Sequence, residues 1–319
     1  MLFSPIPLHI PDGFLSTVVS VAGWILAVVI LGIALRQTKN QLGERQVPLM
    51  GVIAAFIFAA QAINFPVAAG TSGHLLGGTL AAIVLGPWAG TLVMTAVIAV
   101  QALLFQDGGL LVMGWNILNI GVITAFSGFA IYRLVMSMLG SSTRARLIGG
   151  FLGAWMSVVI SAVATAIELA ISGTSPLRLG LTTMAGVHAI IGLGEAIITV
   201  GAVGLLLTSR PQVFTTGDTA PGKRTAAFTL LGLLAALGVS ALSPFASPNP
   251  DGLEFIAGLQ GFLGLAQAPV YELIPDYTLP FLANPVHSTI LAVAFGTVIV
   301  FALAWFIARI SIKRRAARD

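Results

Sequence analysis

The stretch LLGGTLAAIVLGPWAGTLVMTAVIAVQALLF, residues 75–105, carries no charge. A helix rising about 1.5 Å per residue crosses a hydrocarbon core of roughly 30 Å in about 20 residues, so this run is too long for one crossing. It contains Gly86-Pro87. Proline removes a helical donor and clashes with the preceding turn, and the glycine before it marks a break. Two spans are therefore predicted, a short one over about 71–85 and a second beginning at Pro87.

The whole chain is built like this stretch. Of its 319 residues, 57% are hydrophobic and only 8% charged, with a mean hydropathy of +1.00. A soluble domain carries about 25% charged residues, so that class is excluded. The apolar content excludes disorder, and the lack of cysteine excludes a disulfide scaffold. An all-α, polytopic membrane helix bundle remains. Further apolar runs cover 14–35, 48–69, 115–139, 147–172, 181–209, 225–242 and 288–307. The first has no basic n-region before it and no clear cleavage site after it, so it is expected to be a span and not a cleaved leader.

Charge parity sets the expected orientation. Lys and Arg concentrate in 36–45, 141–146, 210–224 and 309–318. Positive loops stay in the cytoplasm. A single span at 75–105 would split these segments between two sides, whereas a turn at Gly86-Pro87 puts all four together. The expectation is about nine spans, with the N-terminus outside and the C-terminus inside. Residues 1–209 form a seven-span core, 210–224 a cytoplasmic linker and 225–319 a two-helix appendage with an outer loop at 243–287. The basic residues orient helices in a multi-pass cell membrane protein whose partner is lipid, and no nucleic acid is implied.

Chemistry is sought first at the four histidines. His9 lies in Leu8-His9-Ile10-Pro11-Asp12-Gly13-Phe14 and His74 in Thr71-Ser72-Gly73-His74. The predicted orientation puts both on the outer side, where they can meet; the plainer alternative is a solvated His9 and a His74 satisfied by backbone. His188 and Glu195 share a helical face, with Glu168 on the preceding span. They read either as a proton or metal relay or as a hydrogen bond that fixes packing. His287 reads as interfacial. Asn64, Gln101, Asp107, Asn116 and Asn119 gather near the outer side, as supporting groups around a metal or as helix-to-helix hydrogen bonds. The segment 217–224, GDTAPGKR, imitates a phosphate-binding loop, but Arg224 stands where a hydroxyl is needed and no strand precedes it. No nucleophile–base constellation suggests an enzyme.

Three of these motifs carry a resemblance. His9-Ile10-Pro11-Asp12-Gly13-Phe14 is similar to the N-terminal signature of the CbiM/NikM family, the cobalt and nickel substrate-binding subunits of energy-coupling-factor ABC transporters. Gly70-Thr71-Ser72-Gly73-His74-Leu75 through Gly86-Pro87, followed by residues 101–109, QALLFQDGG, resembles its central signature. Pro250-Asp251-Gly252-Leu253-Glu254 resembles the motif of the PDGLE domain, similar to the small subunit CbiN/NikN.

The resemblance implies a prokaryotic inner-membrane subunit that captures Co²⁺ or Ni²⁺ as cargo, with no resident cofactor. Its partners would be a transmembrane coupling (T) subunit and cytoplasmic ATPase (A) subunits. The implied ligands are a terminal amine, the amide nitrogen and imidazole of a second-position histidine, and a distant loop histidine. Four nitrogens suit a square-planar ion, Ni²⁺ above all. His9 and His74 match the two histidines, and Asn64, Ser72 and Asn119 are the expected supporting groups. Eight residues precede His9, so the amine of Met1 cannot share a chelate ring with the His9 amide. The functional chain is therefore expected to begin at Leu8, initiated as Met. Small residues Ala22, Ala27 and Ala34 are expected to face the coupling subunit. The rival reading is a proton-coupled secondary transporter using Glu168, His188 and Glu195.

Overall fold

The computed structural model describes residues 9–41, 43–44, 46–214 and 223–316. Eleven α-helices succeed one another among them: α1 Thr17–Gln41, α2 Gln46–Gln61, α3 Gly78–Leu85, α4 Pro87–Val100, α5 Met113–Asn116, α6 Thr124–Leu139, α7 Thr143–Ile171, α8 Leu177–Ser209, α9 Lys223–Ser240, α10 Gly252–Gln260 and α11 Pro285–Ala316. A π-helical turn, Gln101–Phe105, prolongs α4, and another, Ile117–Ile123, joins α5 to α6.

The break inside the long apolar run falls where the sequence puts it. Helix α3 stops at Leu85, Gly86 takes a left-handed φ of +86° and Pro87 opens α4. The two helices then pack so closely that a Cβ on Gly90 would lie 2.9 Å from the Ala82 nitrogen. Helix α4 occupies the middle of the bundle, packed against α1, α2, α3 and α11.

Among the described residues, seven helices are long and apolar enough to cross a membrane. The other two expected spans fall on α2, of 16 residues, and α3, of eight. At about 1.5 Å per residue, α3 rises only about 12 Å. The boundaries predicted for these two spans, 48–69 and 71–85, are corrected here. Helix α2 ends at Gln61, ahead of Pro66, which has no N–H to give a further helical turn. Residues 62–77 instead run across the end of the bundle, pinned by a two-residue antiparallel ladder pairing Phe65 with Gly73 and Pro66 with Ser72.

Helix α11 packs along α2 and α9, which attaches the C-terminal helices to the core. Large apolar side chains such as Val18 and Val28 of α1, Leu231 of α9 and Phe306 of α11 stay exposed, as lipid-facing positions require. Ala27 and Ala34 are buried inside the chain, contrary to the expectation that they face a partner. Their small side chains serve internal packing, and only Ala22 of the three is exposed. The segment between α9 and α11 folds back over the end of the bundle. Its main chain bonds there through Ser247 N to Asn64 O at 2.8 Å and Gln267 N to Asp12 O at 2.8 Å.

Candidate metal centre

The segment 9–13 is held in the bundle by side chains far away in sequence. Asn116 accepts from the Ile10 amide at 3.1 Å and donates to the Ile10 carbonyl at 3.1 Å. Gly109 N donates to the same carbonyl at 2.9 Å. The Asp12 carboxylate accepts from the amides of Leu110, Leu111 and Val112 at 3.0, 2.9 and 3.2 Å, just ahead of α5. Such placement satisfies orphan donors before a helix start. Gly108, at φ +98°, lets the 107–109 turn approach, since a Cβ there would stand 3.0 Å from the His9 Cβ. His9 is consequently only 3% exposed.

One side of the His9 ring faces Asp107. Nδ1 hydrogen-bonds the Asp107 main-chain oxygen at 3.2 Å and lies 3.2 Å from Oδ1 in an ion-pair contact. Burial pushes the His9 pKa down, but the neighbouring Asp107 carboxylate outweighs it and holds the imidazole above its ordinary value. Burial likewise pushes Asp107 up, and His9 reverses the sign, holding that carboxyl below its usual range. The other side of the ring is open: Nε2 is buried without a hydrogen-bond partner. Leaving such an atom unsatisfied costs about 1–3 kcal/mol.

His74 sits just after the short ladder. Its ring centroid is 5.5 Å from that of His9, the two planes perpendicular. Its Nδ1 is 2.9 Å from the Leu75 carbonyl oxygen. The turn that presents it is clamped from α8: Glu195 accepts from the amides of Leu76 at 2.5 Å and Gly77 at 2.9 Å. Glu195 is fully buried and sits at the N-terminus of α3, where the helix dipole favours a carboxylate.

A cavity of about 70 Å³ lies beside the two imidazoles, lined also by His188, Asn116, Asn119 and Asp251. That volume accommodates an ion and a few waters. Asn119 lies in the π-helical turn before α6, donates to Glu168 Oε2 at 2.8 Å and Thr165 Oγ1 at 3.2 Å, and keeps Oδ1 without a partner. The other two expected supporting groups lie off the cavity. Ser72 donates to the Asn249 carbonyl at 2.8 Å, and Asn64 accepts through its main chain from Ser247. Together these bonds tie the two ends of the ladder stretch, 64 and 72, to the C-terminal segment. Leu8 lies outside the described residues.

Asp251, in the outer loop, joins this cavity although it is not among the residues the sequence singles out as ligands or supports. It is buried, caps α10 by accepting from Glu254 N at 2.7 Å, and burial raises its pKa to about 7. The available signal was the PDGLE motif, in which an aspartate directly precedes a helix start. Glu168, His188 and Glu195 are not linked to one another by any hydrogen bond among the described residues: His188 Nδ1 is 2.9 Å from the Met184 carbonyl, and the carboxylates end on Asn119 and on the 76–77 amides. Among the described residues no three His, Asp or Glu side chains converge to hold an ion.

Fold and site together define a multi-pass helical membrane protein with a small cavity at one end of the bundle where three histidines meet apolar side chains. Comparison supplies the family. The CbiM profile, described as cobalt uptake substrate-specific transmembrane region, matches residues 9–213, and the PDGLE domain profile matches 226–313. The chain belongs to the CbiM family. It is 36% identical over 95% of its length to a protein of Archaeoglobus fulgidus assigned as a fused nickel transport protein, NikMN, covering 98% of that relative. A Haloquadratum walsbyi protein assigned to metal transport is 39% identical over 65% of the chain and 94% of its own length. A crystal structure of a truncated transition metal transporter superposes with a TM-score of 0.55 at 34% identity, covering 63% of this chain and 98% of that one. These relatives are transport proteins of prokaryotic membranes and not enzymes, and the chain is a multi-pass transport protein of the same kind.

Proposed function

We propose that the chain is the substrate-capture subunit of an ATP-driven importer of Co²⁺ or Ni²⁺. One observation carries this reading: two imidazoles with centroids 5.5 Å apart beside a small cavity, one with a buried, unpartnered Nε2. Imidazole nitrogen suits both ions. His9 and His74 are the side-chain ligands and Asn119 a supporting group. Position 8 supplies a main-chain amine when the chain begins there. The site opens to the outside, in a chain of nine crossings with its N-terminus out and its C-terminus in. Division into a metal-binding core at 1–209, a linker at 210–224 and an appendage at 225–319 goes with this reading. ATP is hydrolysed on separate A subunits, and a T subunit couples the work to release.

Calorimetry with Co²⁺ and Ni²⁺ tests the proposal on three proteins: the chain from Met1, the chain from position 8, and His74→Ala. Loss of binding in His74→Ala with an unchanged fold is expected, as is tighter binding when the chain starts at position 8. Full retention of binding by His74→Ala would remove the proposal.

A further inference from the structure

His9 does not meet Asp107 alone. The Tyr277 hydroxyl, from the C-terminal segment, donates to Asp107 Oδ2 at 2.5 Å and accepts from Gln101 Nε2 at 3.2 Å. Tyr277 and Asp107 are both buried. The tyrosine ring stacks on Phe105, centroids 4.7 Å apart and planes at 19°, so its position does not depend on the hydroxyl. Around it, Ile274 N bonds Leu104 O at 3.1 Å and Leu273 N bonds Gln106 Oε1 at 3.1 Å. Asp276 and Tyr277 both hold left-handed φ angles, +52° and +54°, unusual for non-glycine residues. Backbone of that kind persists where its surroundings impose it, and such places cluster at functional sites.

We infer that Tyr277 is a positioning residue for the metal ligand His9, acting through Asp107. Partners that accept the second N–H of a ligating histidine set its tautomer and orientation, and losing one typically costs about 10- to 100-fold in affinity. Here the carboxylate faces Nδ1 and Nε2 is left open. Should the ring turn so that Nδ1 closes a chelate with its own amide, the same carboxylate is the acceptor at hand for the remaining N–H. The C-terminal PDGLE segment thereby contributes to a site whose ligands all come from the N-terminal segment and the CbiM core.

The inference rests on the metal-capture proposal, and the experiment separates the two. Co²⁺ and Ni²⁺ titrations of the full chain are run on Tyr277→Phe, Asp107→Asn, the double variant and His74→Ala, with thermal melting of each. Tyr277→Phe keeps the stacked ring, so it should melt near the unaltered protein yet bind about 10-fold more weakly or worse. The same change in the Asp107→Asn background should do almost nothing, because the pathway is already cut. The Co²⁺ visible bands should shift with Tyr277→Phe, which a remote packing effect would not cause. Unchanged or tighter binding by Tyr277→Phe, or equal losses in both backgrounds, overturns the inference while leaving the capture proposal intact. Binding retained by His74→Ala overturns both.

Discussion

The two histidine-bearing segments are held in opposite ways. His9 lies on an irregular stretch anchored by contacts from across the chain, with Asn116, Gly109 and Asp107 on one side and Gln267 behind Asp12. His74 lies just after the short ladder, and in the turn that follows it one buried carboxylate, that of Glu195, closes two main-chain donors at once, with Gln61 Nε2 on the Leu76 carbonyl at 2.7 Å. Contacts spread over several groups tolerate the loss of any one, whereas losing a buried carboxylate that serves two amides leaves both unsatisfied at once. Perturbing the His74 side should therefore damage the site more than perturbing any one anchor of His9.

Glu195→Ala is the largest break. It leaves the Leu76 and Gly77 amides buried without an acceptor, at a cost on the order of 3 kcal/mol or more. Melting should fall by several degrees and metal binding should be lost, both read on the purified protein in detergent. Glu195→Gln keeps one acceptor oxygen and should lie between Ala and the unaltered protein in equilibrium binding. A proton relay makes a different forecast: Glu195→Gln would stop uptake while binding stayed at full strength, and that result would sink the clamp.

Asn116→Ala comes next. It removes two hydrogen bonds to Ile10, each worth about 1 kcal/mol net. The expectation is roughly a 10-fold loss of affinity with most of the fold kept, since Asp12 and Gly109 still hold the segment. A loss as complete as that of Glu195→Ala would end the contrast between the spread contacts of the His9 segment and the two-amide carboxylate beside His74. Gly108→Ala should act on the same side by a different route. Its new Cβ meets Asn116 Nδ2 at 2.9 Å and His9 Cβ at 3.0 Å, on a backbone of φ +98°. Left-handed strain for an L residue costs about 1–2 kcal/mol. The readout is weaker binding and a lower melting temperature together, and a variant that binds normally would show that the 107–109 turn does not set the His9 position.

The sequence made the two histidines legible and most of their supports illegible, for a physical reason. Charge parity and Gly86-Pro87 put His9 and His74 at one end of the bundle, and their rings lie 5.5 Å apart there. Neither rule says which donor meets which acceptor. Glu195 was legible as an unusual intramembrane charge, but nothing local distinguishes a carboxylate that meets a histidine from one that caps a helix 118 positions away. Tyr277 reaches Asp107 over 170 positions. Asn64 is expected as a support because polar groups gather near the outer side, and Ser72 with the family resemblance. The two-residue ladder sends them toward the C-terminal segment instead, and no periodicity announces so short a ladder.

The last expected effect is one of pH and concerns Asp251, the acidic group that the C-terminal segment brings to the shared cavity. Burial raises its pKa to about 7 from an ordinary value of 3.8. Its folded form therefore holds the proton more tightly than its unfolded form. Between those two values the folded state binds more protons, so stability falls as pH rises from about 4 to about 7 and is level above that. Asparagine keeps the cap on α10, since Asn and Asp are comparable there, and removes the ionisable group. Asp251→Asn should accordingly melt close to the unaltered protein near pH 4 and above it at pH 8, the gap opening across that interval. A gap of the same size at both ends would mean that the substitution acts through packing around Gly252 and His188, and that the Asp251 carboxylate is not charged at a cost inside the cavity.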